Sequence, residues 1–339
     1  MRPARTALIL FCCLSGCRER PPESAEEPVE AATPPAMDAG PAPPVESAAA
    51  PVTLGAWPDA GDEALIAHLS TARIHGARIL SRRSMGLRVA LEGDPDAVFK
   101  PRRREEDTAR HEVAFYRLAR LLGTGIVPVS TIRRVFPVHL DDALRRDDPA
   151  AADAFLEAVH RDPSGMVEFA VIEWLTDLGP APFDGTRGVD RLVALLALTG
   201  PRPDEDPLVA PASEMVVLDY LAGNWDRFTG GNLFTDADGR RLILIDNNAS
   251  FDRWSEGQRQ RMEDLLGSVE RFSRSQVERL RLLDGDTIES VMGEAEGDES
   301  RPLLNRMEIE RLLERRDELL EHIDGLAAGH GLERVLSLP

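Results

Sequence analysis

The apolar spacing of this chain goes from mainly strand-like to mainly helical near Leu175, and that shift sets its architecture. Ahead of it, Arg78–Leu91 reads as two strands about a turn at Ser84-Met85-Gly86. Ala97-Val98-Phe99-Lys100 reads as a strand stopped by Pro101, and Ile126–Val135 and Met166–Leu175 supply two more. A short helix over Ala64–Leu69 precedes this set. One amphipathic helix, Glu106–Leu122, interrupts it, with Val113, Tyr116, Leu118 and Leu121 on one face and Gly123 and Gly125 at its end. Asp147–Arg161 reads as an inserted helix. Beyond Leu175 the spacing is helical over Asp190–Leu198, Ser213–Ala222, Glu256–Val269, Ser275–Leu283 and Met307–Leu326, broken by one hairpin, Leu233–Ile245. Strands with one main helix, then helices, predict a two-lobed α+β domain: a small β-rich N-lobe over residues 63–175 and a mainly helical C-lobe over 176–335.

The residues ahead of that domain carry different signals. Arg2 and Arg5 form a positive start, and Ala7–Leu14 is an eight-residue apolar run, too short to span a bilayer but suited to an export signal. It ends in Leu14-Ser15-Gly16-Cys17, which resembles a bacterial lipobox. The resemblance implies a lipoprotein signal over 1–17, acylation at Cys17, and a lipid-anchored protein of the bacterial cell envelope, in either inner or outer membrane. Residues 18–62 are rich in Pro, Ala and Glu and hold ten of the 25 prolines. Without periodic apolar positions such a segment cannot offset its ordering entropy, so a disordered tether is expected.

Composition excludes some partners. The three cysteines are Cys12, Cys13 and Cys17, so the following 322 residues form no disulfide framework. Net charge is −19, from 40 basic against 59 acidic residues, which argues against nucleic acid because phosphate backbones are held by clustered cations. The run Arg102-Arg103-Arg104 is too short to reverse that.

The chemistry concentrates in Gly223-Asn224-Trp225-Asp226-Arg227-Phe228-Thr229-Gly230-Gly231-Asn232 and in Leu242-Ile243-Leu244-Ile245-Asp246-Asn247-Asn248. An apolar helix with Met215, Val217, Leu218 and Leu221 delivers Asp226 into a loop, and Asn232 follows six residues later. A hairpin turning at Asp236-Ala237-Asp238-Gly239 then returns as an apolar strand ending in Asp246. Two carboxylates and a carboxamide thereby meet at one edge of a small ribbon. The Asp-Ala-Asp-Gly segment lacks the further oxygen ligands and closing Glu of a calcium loop, so it reads as a turn. Phosphoryl transfer uses such a set: one carboxylate for the acceptor hydroxyl, and hard oxygens for Mg²⁺ on the phosphates. A helix cap at Asp226 and a turn residue at Asp246 are the plainer readings of the same residues.

These motifs resemble the atypical protein-kinase-like families: the secretory-pathway casein kinase and four-jointed group, the phosphatidylinositol 3- and 4-kinases, and the HipA-like kinases. The resemblance spans Arg78–Leu326 and implies a protein-kinase-like fold. It implies Asp226 as catalytic base and Asn232 and Asp246 as metal ligands, although Asn232 stands one residue further from the base than the usual five. Gly230-Gly231 is available to absorb the extra residue. The families also place a strand Lys ahead of a helix Glu. Lys100 and, twelve residues on, Glu112 fit that order. Gly86 stands where a phosphate loop is expected, and Glu173 and Leu175 where a hinge beside adenine is expected.

Composition supports Lys100 independently. Of 40 basic residues it is the one Lys, so Arg serves wherever any cation suffices. A compact ammonium on a flexible stem is not interchangeable with a planar guanidinium in a tight phosphate site. Four of the five Asn residues (Asn224, Asn232, Asn247, Asn248) also lie in the chemical segment. Neither a zinc-type His cluster nor a Gly-x-Ser-x-Gly elbow is present. The expectation is an ATP- and Mg²⁺-dependent phosphotransferase acting on a protein hydroxyl, with sugar and lipid as alternative acceptors. A pseudokinase that binds nucleotide or a partner without transfer, and an AMP-transferring enzyme, are the rival readings.

Overall fold

In the computed structural model, which describes residues 52–80, 85–102, 108–293 and 301–339, the strand-like segments assemble into one antiparallel sheet. Its strands are β1 (Ile74–Ile79), β2 (Leu87–Leu91), β3 (Ala97–Pro101), β4 (Ser130–Val135) and β5 (Val167–Glu173), in the order β1-β2-β3-β5-β4. The β3–β5 register pairs Phe99 with Val171 and Lys100 with Ala170. Because side chains alternate across a strand, Phe99, Pro101, Phe169 and Val171 share one face, while Lys100, Ala170 and Glu168 share the other.

Each face has its own cover. Helix α1 (Glu63–Thr71) lies on the Phe99 face, where the Arg133 guanidinium donates to the carbonyls of Leu69 and Ala72 at 3.2 and 2.7 Å. Helix α2 (Thr108–Leu121) lies on the Lys100 face. Its buried Arg110 grips Glu168 of β5 at 2.8 and 2.5 Å and donates to the carbonyl of Pro302 at 2.9 Å. Nearly every α2 side chain is buried, so the helix is held from several sides at once.

The C-lobe begins with β6 (Gly179–Pro180) and α5 (Val189–Leu195) and is organised about α6 (Val209–Ala222), which is buried from Met215 to Ala222. A helix apolar on all sides is a core helix. Strands β7 (Leu233–Thr235) and β8 (Leu242–Leu244) form the expected hairpin, extended by β6. Helices α7 (Glu256–Gly267), α8 (Arg274–Leu282), α9 (Gly285–Met292), α10 (Arg306–His330) and α11 (Leu332–Val335) complete the lobe.

Three boundaries differ from expectation. Residues 53–62 belong to the folded domain, not to a tether. Trp57 packs edge-on against Tyr116 at 5.5 Å and lies under the Arg117 guanidinium, and Gly55 N–H donates to Leu121 O at 2.9 Å. One aromatic with a partner in the core outweighs the Pro-rich composition around it. The insertion between β4 and β5 is two helices, α3 (Val138–Asp147) and α4 (Pro149–Ala158), because Asp148 caps α4 at its start by accepting from Ala151 N–H at 3.0 Å. The C-lobe continues past 335: Leu338 forms a bridge with Ser273, and Arg274 N–H donates to Leu338 O at 2.9 Å. Cys17, the signal and the tether up to residue 51, Ser84, Arg103 and Arg104 lie outside the described residues.

Candidate active site

Lys100 projects from β3 between two carboxylates. Its Nζ donates to Glu112 Oε2 at 2.7 Å and to Asp246 Oδ1 at 2.9 Å, across 146 residues of sequence in the second case. Side-chain exposure rises along this row from 3% at Glu112 through 14% at Lys100 to 35% at Asp246, so Glu112 is the buried anchor and Asp246 the open end. Burial alone would push the Lys100 ammonium toward neutrality. The two carboxylates outweigh it and hold the pKa above its ordinary value, so Lys100 is charged at neutral pH. Two carboxylates about one ammonium leave the row with an excess negative charge at its open end.

Local sequence dictates how Asp246 gets there. The β7–β8 ladder pairs Leu233 with Leu244, and Ile245 N–H donates to Asn232 O at 3.1 Å. Asn232 and Asp246 therefore emerge at the same end of the ribbon. Asp246 then takes φ +55°, a left-handed conformation that Asp and Asn tolerate better than most residues. This turns the chain so that Asn247 points inward. Asn247 donates to Glu112 through its backbone N–H at 3.0 Å and its side-chain amide at 3.1 Å.

Asp226 is brought to the other side of the ribbon end by the close of α6. Gly223 ends that helix at φ +76°, a left-handed conformation that disfavours a side chain, and the Arg315 guanidinium lies 2.9 Å from where a Cβ would stand. Asn224 N–H closes the turn on Asp219 O at 2.8 Å. The Asn232 amide donates to Asp226 O at 3.0 Å and lies 3.4 Å from its Oδ2. The six-residue spacing is accommodated by Gly230 and Gly231, both at positive φ, with Gly231 N–H donating to Asp184 at 3.0 Å.

One buried cation ties these pieces together. Arg227 donates to both oxygens of Asp219 at 2.9 Å, to the carbonyls of Asn232 and Ile245 at 2.9 Å, and to Asn247 Oδ1 at 2.6 Å. A single guanidinium thus fixes the ribbon end, the residue after Asp246 and, through Asn247, the anchor Glu112. Burial pushes the Asp219 carboxyl up, and Arg227 opposes it. Sequence reading overlooked Asp219 and the inward role of Asn247. The available signal was an acid inside an otherwise apolar helix, eight residues before an Arg.

The remaining expected residues are placed differently. Gly86 ends the β1–β2 hairpin, its carbonyl accepting from Leu80 N–H at 2.8 Å, one residue beyond the Leu87–Phe99 pair and so at the Lys100 end of β3. Glu173 pairs with Ala97, which sets its side chain on the face opposite Lys100. There burial raises its pKa. Its N–H is used by Val129 O at 2.9 Å and that of Trp174 by Asp96 O at 3.0 Å. Leu175 follows, half-buried, while the Trp174 ring lies under the Arg88 guanidinium at 4.4 Å. Lys100, Glu112 and Asp246 are in direct contact and Asp226 meets Asn232; the Glu173 side chain is not brought to that group.

A five-stranded antiparallel lobe over a helical lobe, with a Lys–Glu pair between sheet and helix, is a kinase-like arrangement, and similarity to solved structures is of that kind. The chain superposes on a hydra Fam20 solved with sugar at TM-score 0.61 and 17% identity, covering 80% of this chain and 90% of that one. It superposes on a Golgi casein kinase with Mn/ADP bound at TM-score 0.59 and 16% identity, covering 81% and 78%. A second structure of the Golgi casein kinase gives 0.60 and 16%, covering 81% and 76%. At these identities the likeness is one of fold: the protein has a kinase-like fold with a small antiparallel N-lobe and a helical C-lobe. No protein-family model and no curated protein sequence matches it.

Proposed function

We propose that this protein is an ATP- and divalent-metal-dependent phosphotransferase with a protein hydroxyl as acceptor. The observation that carries the reading is the Glu112–Lys100–Asp246 row, in which a protonated ammonium stands between a buried carboxylate and an open one. Lys100 is suited to phosphate oxygens, with Glu112 orienting it. Asp246 and Asn232 offer hard oxygen donors at a locally acidic edge, which fits Mg²⁺ or Mn²⁺ better than a softer ion. Asp226 is suited to accept the proton of the acceptor hydroxyl. The bound nucleotide supplies the phosphoryl group. The Golgi casein kinase of similar fold was solved with Mn/ADP, which supports nucleotide and divalent metal here.

The test is incubation of the purified protein with γ-labelled ATP, with and without Mg²⁺ or Mn²⁺, and with bacterial envelope extract as acceptor. Metal-dependent label on a protein band is the expected result. Nucleotide binding without any transfer would move the protein to the pseudokinase class.

We further propose that the domain works at an envelope membrane, held by a lipid on Cys17 and a tether running to about residue 51. The support is the Leu14-Ser15-Gly16-Cys17 motif after an eight-residue apolar run. Cys17→Ser is expected to abolish incorporation of labelled fatty acid and to remove the protein from the lipidated membrane fraction. Unchanged acyl labelling in that variant would overturn the anchor.

A further inference from the structure

Behind the candidate site, three elements converge on a second group of ligating side chains. His111 lies on α2 next to Glu112, Asp252 lies six residues beyond Asp246, and Glu308 opens α10. One ligand atom from each lies within 4.8 Å of the other two, and among the described residues no other trio of His, Cys, Asp or Glu does this. His111 Nε2 and Glu308 Oε1 are 3.0 Å apart. The second Glu308 oxygen accepts from Asn305 N–H at 2.7 Å, which fixes the carboxylate in place. The His111 ring packs on Phe251 at 5.7 Å.

Two observations set this apart from an ordinary His–Glu hydrogen bond. His111 is 4% exposed, and the ring nitrogen it turns to Glu308 is Nε2, so a ligand atom is presented from a buried side chain while Nδ1 faces away from the trio. Asp252 is exposed while the other two are buried, so the group has a wet side through which an ion can enter. Nitrogen and oxygen ligands bind a first-row divalent ion at about 2.0–2.2 Å, which spans ligand atoms up to ~4.4 Å apart. The exposed Asp252 side chain has the freedom to close the difference.

We propose that His111, Asp252 and Glu308 bind one transition-series divalent cation at a site separate from Asn232 and Asp246. An imidazole with two carboxylates selects Zn²⁺, Fe²⁺ or Co²⁺ over Mg²⁺ and Ca²⁺, whose sites are built from oxygen. The ion staples the helix bearing Glu112 to the segment following Asp246 and to the start of α10. It thereby restrains both carboxylates that hold Lys100, from outside the nucleotide site. The inference rests on this trio's geometry alone and stands whether or not the protein transfers phosphate.

The experiment is titration of the full chain with Co²⁺ in the absence of nucleotide, followed by its visible absorption and by calorimetry. Any free cysteine thiol is first blocked by alkylation, so that thiolates do not compete. One equivalent is expected to bind. Asp252→Asn, an exposed change that leaves the fold intact, is expected to weaken binding by about tenfold or more. His111→Gln, checked for folding by circular dichroism, is expected to abolish the absorption band. Asp246→Asn is expected to leave it unchanged. Absence of stoichiometric binding, or binding that survives both Asp252→Asn and His111→Gln, would overturn the site.

Discussion

Asp226→Asn is expected to bind Mg–ATP with near wild-type affinity while transferring phosphate ~10²–10⁴-fold more slowly, the usual contribution of a general base. Asp246→Asn is expected to lose both affinity and transfer. The two differ because Asp246 contacts Lys100 directly at 2.9 Å, whereas Asp226 is held through its main-chain oxygen by the Asn232 amide at 3.0 Å. Both replacements are conservative for the backbone. Asn tolerates the φ of +55° that Asp246 adopts, and Asn232 holds Asp226 through its main-chain oxygen at 3.0 Å, which the change does not remove. Calorimetric titration with Mg–ATP, paired with transfer of labelled γ-phosphate, measures the two effects separately. If both variants bound and transferred like wild type, the catalytic assignment would fail and the fold alone would stand.

Arg227→Ala is expected to destabilise the domain by about 3–5 kcal/mol, because it strands Asp219 in the core without its counter-charge. Asp219 is 3% exposed and already carries a burial penalty that Arg227 opposes. For a domain of this size that loss lowers the thermal midpoint by on the order of 10 °C. The paired change Arg227→Met with Asp219→Leu removes both charges and is expected to recover most of the midpoint. It does not recover the links to the carbonyls of Asn232 and Ile245 or to Asn247, so activity stays low in the double variant. Calorimetric melting of the single and double variants checks this. Equal midpoints for wild type and Arg227→Ala would show that the buried pair contributes nothing to holding the site.

Much of this was legible from residue types in order. A solitary Lys at the end of a strand, a Glu twelve residues on in an amphipathic helix, and an Asp closing an apolar strand could be picked out individually, because each is an exception to its surroundings. The α+β order followed from the shift to mainly helical spacing near Leu175: strands β1–β5 precede it and helices α5–α11 follow it. Helix α3 was overlooked because it holds few apolar residues among many charged ones, and its burial is limited largely to Leu140 and Leu144, one turn apart. The packing of residues 53–62 was masked by a composition that describes the average of a segment and not its one anchoring Trp.

By itself the sequence determined which residues were chemically exceptional and in what order the elements run, since periodicity and composition are properties of neighbours along the chain. Only the tertiary structure decided which of them meet. Lys100 and Asp246 are 146 residues apart and touch because the hairpin end is folded against α2. Asn247 points inward because a left-handed residue precedes it, and Glu173 points away because strand register, not residue type, assigns faces. Arg227 reads locally as one Arg among 39. Burial beside Asp219, with two carbonyls and an amide in reach, is what makes it the clamp of the site, and burial exists only once the chain has closed around it.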